Sequence, residues 1–94
     1  QVFGVPLGET AEHKVFTLVA ELRRAGIAAD MAPAGKSLKS AMKSADRSGA
    51  AYAVIIGERD ITAGSAQVKD LATGEQIAVP LTDLTATLLE RIGR

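Results

Sequence analysis

Four groups of residues have types and spacings that could do chemistry. His13, the only histidine, stands one helical turn after Glu9. An i, i+4 Glu–His pair can ligate a metal, but it offers two ligands where a protein zinc site takes three or four. The pair therefore reads as an exposed helix pair, and no metal is expected. The serines are Ser37, Ser40, Ser44, Ser48 and Ser65, yet none lies in a G-x-S-x-G strand-to-helix turn. No catalytic residue is expected. Gly35-Lys36-Ser37 imitates the end of a phosphate-binding loop, but the glycine required five residues earlier is Asp30. What survives is the set of free N–H groups in the first turn of the following helix, which with Lys36 could hold one anion. Finally, Lys36, Lys39, Lys43 and Arg47 step by 3, 4 and 4 and share one helical face. Asp46 is the only acid among residues 36–47, which leaves a local charge of +3. Such a stripe is either the solvated side of an amphipathic helix or a track for nucleic-acid phosphates, and spacing alone leaves both open.

The elements that must position these residues alternate between short β-rich runs and longer helical ones. Val2–Leu7 reads as a strand that stops at Pro6–Gly8. Over residues 10–25, Val15, Leu18, Val19 and Leu22 fall on one helical face, and Gly26 is placed as the stop. Ile27–Met31 is a second strand, closed by the loop at Pro33–Gly35. A helix over Ser37–Ser48 turns Leu38, Ala41, Met42 and Ala45 inward, with Ser37 as N-cap and Gly49 past its end. Ala51–Ile56 is apolar throughout and β-branched at Val54, Ile55 and Ile56, as in a central strand covered on both faces. Gly57–Gly64 reads as a polar turn. Gln67–Leu71 and Gln76–Val79 flank Thr73–Gly74 as a hairpin. A last helix spans Asp83–Ile92, with Thr82 as N-cap and Leu84, Leu88, Leu89 and Ile92 buried. This order predicts an α/β domain over residues 1–94, a three-layer α/β/α arrangement of a five-stranded mixed sheet and three helices.

Composition narrows the function. The chain has 94 residues, with 11 Lys and Arg balanced by 11 Asp and Glu. That neutrality argues against a protein that coats nucleic acid or membrane indiscriminately. Aromatic residues are 3%, only Phe3, Phe16 and Tyr52, which is poor equipment for stacking bases in series. There is no cysteine, which excludes a disulfide framework and suits the cytoplasm. The longest apolar run, residues 50–56, falls far short of the roughly 20 residues that span a bilayer, so no membrane partner is expected. The sequence opens without Met and enters a strand almost at once, so it is expected to be a piece of a longer protein.

Three stretches resemble a known family. LRRAGIAADM (residues 22–31), SLKSAMKSADRSGAAYAVIIGERD (residues 37–60) and QVKDLATGEQ (residues 67–76) look like the C-terminal anticodon-binding domain of histidyl-tRNA synthetase. The most specific parts are A-D-R-S-G-A (residues 45–50), Gly57-Glu58 at a strand exit, and V-K-D-L-A-T-G-E-Q (residues 68–76). The related domains of threonyl-, prolyl- and glycyl-tRNA synthetases share the fold. The resemblance implies a domain without catalysis or cofactor of its own. It would hold the anticodon stem-loop of tRNA-His for a parent enzyme, a cytoplasmic homodimer with ATP and Mg in a separate catalytic domain. It also implies which residues meet the anticodon: Gly35, Lys36 and Lys39, then Glu58 and Asp60, then Lys69, with Glu75 and Gln76.

On chemistry, Glu58 or Asp60 could accept from a guanine Watson–Crick edge, and Lys69 could donate to a carbonyl such as uracil O4. The lysines, with Lys43 and Arg47, would grip phosphates. Against these stand plainer roles: Lys69 pairing with Asp60, and Glu75 setting a hairpin tip. Two positions depart from the family pattern, Ala41 where Gln is usual and Ser44 where Tyr is often found. The rival class is a protein-interaction or regulatory module built on the same fold.

Overall fold

The computed structural model describes residues 1–33, Gly35 and residues 37–92. Five strands, β1 (Val2–Leu7), β2 (Ala29–Met31), β3 (Tyr52–Gly57), β4 (Ser65–Asp70) and β5 (Gln76–Pro80), form one sheet in the order β2-β1-β3-β4-β5. β1 pairs parallel with β2 and β3, and β4 pairs antiparallel with β3 and β5. The helices are α1 (Glu9–Arg24), α2 (Leu38–Ser48), α3 (Glu58–Ala63) and α4 (Leu84–Ile92). The expected three-layer arrangement is present, with a fourth, short helix added to the three read from the sequence.

Strand order dictates the layering. The step from β1 to β2 and the step from β2 to β3 run in opposite directions across the sheet. Parallel crossovers are right-handed by default, so reversing direction sends the two crossover helices to opposite faces. Val15, Leu18, Val19 and Leu22 of α1 are buried with Val2, Val54, Ile56, Ala66, Val68 and Val79, joined by Leu84 and Leu88 of α4. On the other face Ala41 and Ala45 of α2 are buried with Phe3, Val5, Ala53 and Ile55. β3 is thus covered on both sides, as its unbroken apolar run requires. The approach of α1 is close enough that a Cβ on Gly4 would overlap Val15 Cγ1.

Several boundaries differ from expectation for local reasons. Ile27 is not in β2. The N–H of Gly26 bonds the Arg23 carbonyl at 3.1 Å and that of Ile27 bonds the Leu22 carbonyl at 2.9 Å. This is the pair of bonds that closes a Schellman turn, with Gly26 at φ 89°. Ile27 is buried as the apolar lock of that helix end, and β2 shrinks to three residues. Ser37 caps α2 as expected, accepting from the Ser40 N–H at 3.2 Å, but Leu38 is exposed. Thr82 caps nothing: Leu81–Asp83 is a 3-10 turn leading from Pro80 into α4.

The turn expected at Gly57–Gly64 is α3. Asp60 Oδ2 accepts the Gly57 N–H at 2.8 Å, one half of a capping box, and Gly64 ends the helix at φ 76°. Likewise the hairpin loop is longer than Thr73–Gly74. Asp70 Oδ1 accepts the N–H groups of Ala72 and Thr73 at 2.9 and 3.1 Å, and the Asp70 N–H closes the loop on the Glu75 carbonyl at 2.8 Å. An Asp side chain that folds the backbone over itself is a strong turn former.

The tight seam between α1 and β1 gives a direct test. Gly4→Ala is expected to destabilise the chain by about 1–3 kcal/mol through overpacking against Val15, seen as a lower urea midpoint. An unchanged midpoint would mean that α1 stands further from the sheet.

Candidate nucleic-acid interface

β4 and β5 follow strict alternation, and the register decides which side chains share a face. Ala66 and Val68, with Ile77 and Val79, turn toward α1 and α4. Ser65, Gln67 and Lys69, with Gln76 and Ala78, turn to the side of Phe3, Val5 and α2. No side chain of β4 or β5 joins the α2-side core. α2 therefore covers one part of this face and leaves the β4–β5 part open. It is lined by half-buried Ser65, Gln67 and Lys69 and exposed Gln76 and Ala78.

The expected site residues fall into three places around this open face. Lys39, Lys43 and Arg47 are exposed on α2. At 100° per residue they point away from the sheet, opposite Ala41 and Ala45. Gly35 is exposed in the preceding loop at φ 85°, and Lys36 lies outside the described residues. Glu58 is exposed at the carboxyl end of β3, where the turns after β1 and β3 meet; its Oε2 would be 3.4 Å from a Cβ built on Gly8. Lys69 lies opposite Ala53, four residues of β3 before Gly57, roughly 13 Å down the sheet from that corner. Gln76 is opposite Lys69, and Glu75 is exposed at the hairpin end.

Asp60 is half-buried and one of its carboxylate oxygens is already engaged by Gly57, so its first task is to fix the turn that presents Glu58. The pairing of Lys69 with Asp60 is not formed: among the described residues the only ion pair is Arg23–Asp30, at 3.9 Å on the surface. Ala41, at the position where the family pattern carries Gln, is buried under α2 and serves packing. Ser44 donates to the Ser40 carbonyl at 3.4 Å within the helix. Glu75 does contribute to the tip, through its N–H on Thr73 Oγ1 at 3.2 Å and its carbonyl on Asp70. Sequence reasoning missed Gln67, whose Oε1 accepts from Gln76 Nε2 at 3.3 Å. The signal was available in the alternation Gln67-Val68-Lys69, which sets two polar side chains on one face.

Other features lie elsewhere. A hollow of about 370 Å³ between α1 and α4, lined by residues that include His13, Thr17, Ile56 and Leu84, is on the opposite face of the sheet. Among the described residues no three His, Asp or Glu side chains come together as a metal site. No described helix is long and apolar enough to cross a membrane.

A polar sheet face that α2 leaves bare, with Lys39, Lys43 and Arg47 on the outer side of that helix, is a combination suited to nucleic acid. The chain belongs to the anticodon binding domain family, whose model matches residues 1–91. Its relatives are specific. It is 57% identical over 91 residues to the histidine–tRNA ligase of Saccharopolyspora erythraea, covering 97% of this chain and 22% of that protein. It is 54% identical over 92 residues to that of Streptomyces avermitilis, covering 98% of this chain and again 22% of the relative. The crystal structure of apo histidyl-tRNA synthetase from S. aureus superposes with a TM-score of 0.86 at 32% identity, over 93% of this chain and 22% of that one. The chain thus spans about a fifth of the length of these ligases. It corresponds to their anticodon-binding part and not to the catalytic one.

The cap role of Asp60 can be separated from any role in binding. Asp60→Ala is expected to lower stability by about 1 kcal/mol, and Asp60→Asn by less, because an amide oxygen can still accept the Gly57 N–H. Thermal or urea unfolding reads this without RNA. A midpoint indifferent to Asp60→Ala would contradict it.

Proposed function

We propose that this chain holds the anticodon stem-loop of tRNA-His for a longer histidine–tRNA ligase, which joins histidine to that tRNA with ATP and Mg in a separate catalytic domain. The observation that carries the reading is the open polar face of β4 and β5 beside the cationic side of α2, in a chain that belongs to the anticodon-binding family. The division of labour follows from chemistry. Lys39, Lys43 and Arg47, with Lys36, carry charge without direction and suit phosphate oxygens, which position the loop but do not identify it. Bases of a single-stranded loop can be splayed to show their edges. Glu58, at the carboxyl end of β3, accepts from a guanine N1–H and N2–H₂, while Lys69 donates to a base carbonyl. Gly35 lets the backbone approach, and Glu75 and Gln76 bound the site at the hairpin end. Asp60 supports Glu58. The parent ligase is read as a cytoplasmic homodimer by the same resemblance.

Two to four phosphates engaged by these cations give a shallow salt dependence. The slope of log K against log salt is expected at about −1.4 to −2.8, from ~0.7 per phosphate for single strands. A stem-loop with anticodon GUG is expected to bind more tightly than one with a scrambled loop. Equal affinity for the two would remove sequence reading and favour the rival role as a protein-interaction module. In the full-length protein, Lys69→Ala is expected to weaken charging through tRNA affinity while histidyl-adenylate formation continues at its normal rate. Unchanged tRNA kinetics would take Lys69 out of the site.

A further inference from the structure

We propose that Gln67 is a specificity-determining residue: held by Gln76, its amide nitrogen donates to an exocyclic carbonyl oxygen, guanine O6 or uracil O4, of a base laid on the open β4–β5 face. The inference rests on the anticodon-binding reading above and names a contact within it. Position is the first argument. Gln67 is opposite Ile55, two residues below Gly57 on the β3 side and two residues above Lys69 on its own strand. It therefore lies roughly 7 Å from each level and spans the gap between the Glu58 corner and Lys69. Side chains two apart on a strand share a face, so Gln67 and Lys69 form one row on the surface that no helix covers.

Orientation is the second argument. Gln76 Nε2 donates to Gln67 Oε1 at 3.3 Å, which occupies the acceptor end of the amide and leaves the two N–H donors for a ligand. Beside Lys69 this makes a row of donors, and the atoms that satisfy donors on a base edge are its carbonyl oxygens. Half-burial restricts the Gln67 side chain before any ligand arrives, which lowers the ordering cost of the contact. The lysine and the amide also differ in what they recognise. An ammonium takes phosphate and carbonyl oxygens alike, whereas a neutral amide has little attraction for phosphate and discriminates by hydrogen-bond geometry.

The test uses the full-length protein, unchanged and as Gln67→Met and Gln67→Glu, with four anticodon stem-loops. One carries GUG. Two carry 2-aminopurine in place of each guanine in turn, which removes O6 together with the N1 proton. The last carries 2-pyrimidinone in place of uracil, which removes O4 together with the N3 proton. One of the three replacements is expected to weaken binding to the unchanged protein about three- to tenfold more than it weakens binding to Gln67→Met. Gln67→Met is expected to bind the GUG loop more weakly by a similar factor and to lose that same factor of sensitivity to that replacement only. Gln67→Glu, which sets a carboxylate against the same carbonyl, is expected to lose at least as much. Two results overturn the inference while leaving the domain's function intact: Gln67→Met binding GUG within about twofold of the unchanged protein, or Gln67→Met staying fully sensitive to every replacement. If the unchanged protein itself binds GUG and scrambled loops alike, the anticodon-binding reading fails, and this inference with it.

Discussion

The handedness of two crossovers sets the rest of the molecule. β1 lies between β2 and β3, so the chain turns back across the sheet after β2, and right-handed connections put α1 and α2 on opposite faces. From β3 onward there is no further long crossover. α3 is six residues long and returns the chain antiparallel, and the β4–β5 hairpin follows. One face of the last two strands is closed by α1 and α4, while the other receives no helix. A sheet face left to water must be polar, and Ser65, Gln67, Lys69 and Gln76 meet that demand. The proposed RNA-binding surface is thus what remains when a five-stranded sheet has one helix on a face that two would cover. The reversal of direction also opens a corner at the carboxyl ends of β1 and β3, where Gly8 and Glu58 meet, the kind of place where open α/β sheets take ligands.

Charge is distributed to match. The chain is neutral in sum, but Lys39, Lys43 and Arg47 lie on the outer side of α2, while Glu58, Asp60, Asp70 and Glu75 lie at or beside the ends of β3, β4 and β5. Two of those acids are committed to the backbone. Asp60 holds the start of α3 and Asp70 folds the hairpin loop. Of the acids at the strand ends near the open face, Glu58 and Glu75 keep exposed carboxylates for a ligand. A neutral total is therefore compatible with a cationic grip, because part of the negative charge is spent within turns.

Much of the fold is legible in the sequence because its long elements have clean periods. The α1 stripe and the continuous β3 run each admit one reading. What escaped was decided by side chains acting on the backbone at short range. Ile27 belongs to a β-rich run by composition, yet the Schellman turn at Gly26 draws it into the end of α1. α3 has a single large apolar residue, Ile61, so no helical period exists to detect, and only the Asp60 cap marks it. The site was legible in part for the same reason. A row of cations at helical spacing is visible in a string of letters, as is a matched motif around Lys69. Gln67 carries no charge and stands at the edge of the matched stretch, and the alternation that sets it beside Lys69 gains its meaning once the register places both on the face that α2 leaves open.

The central claim is that the open face of β4–β5, bounded by the Glu58 corner and the start of α2, is the surface that meets RNA. Amide NMR shifts recorded while an anticodon stem-loop is titrated in test this residue by residue. The account predicts that the moving signals are those of Gly35, Lys39, Glu58, Gln67, Lys69 and Gln76, with α1 and α4 still. Shifts gathered instead around His13, Thr17 and Thr85, on the opposite face, would contradict it.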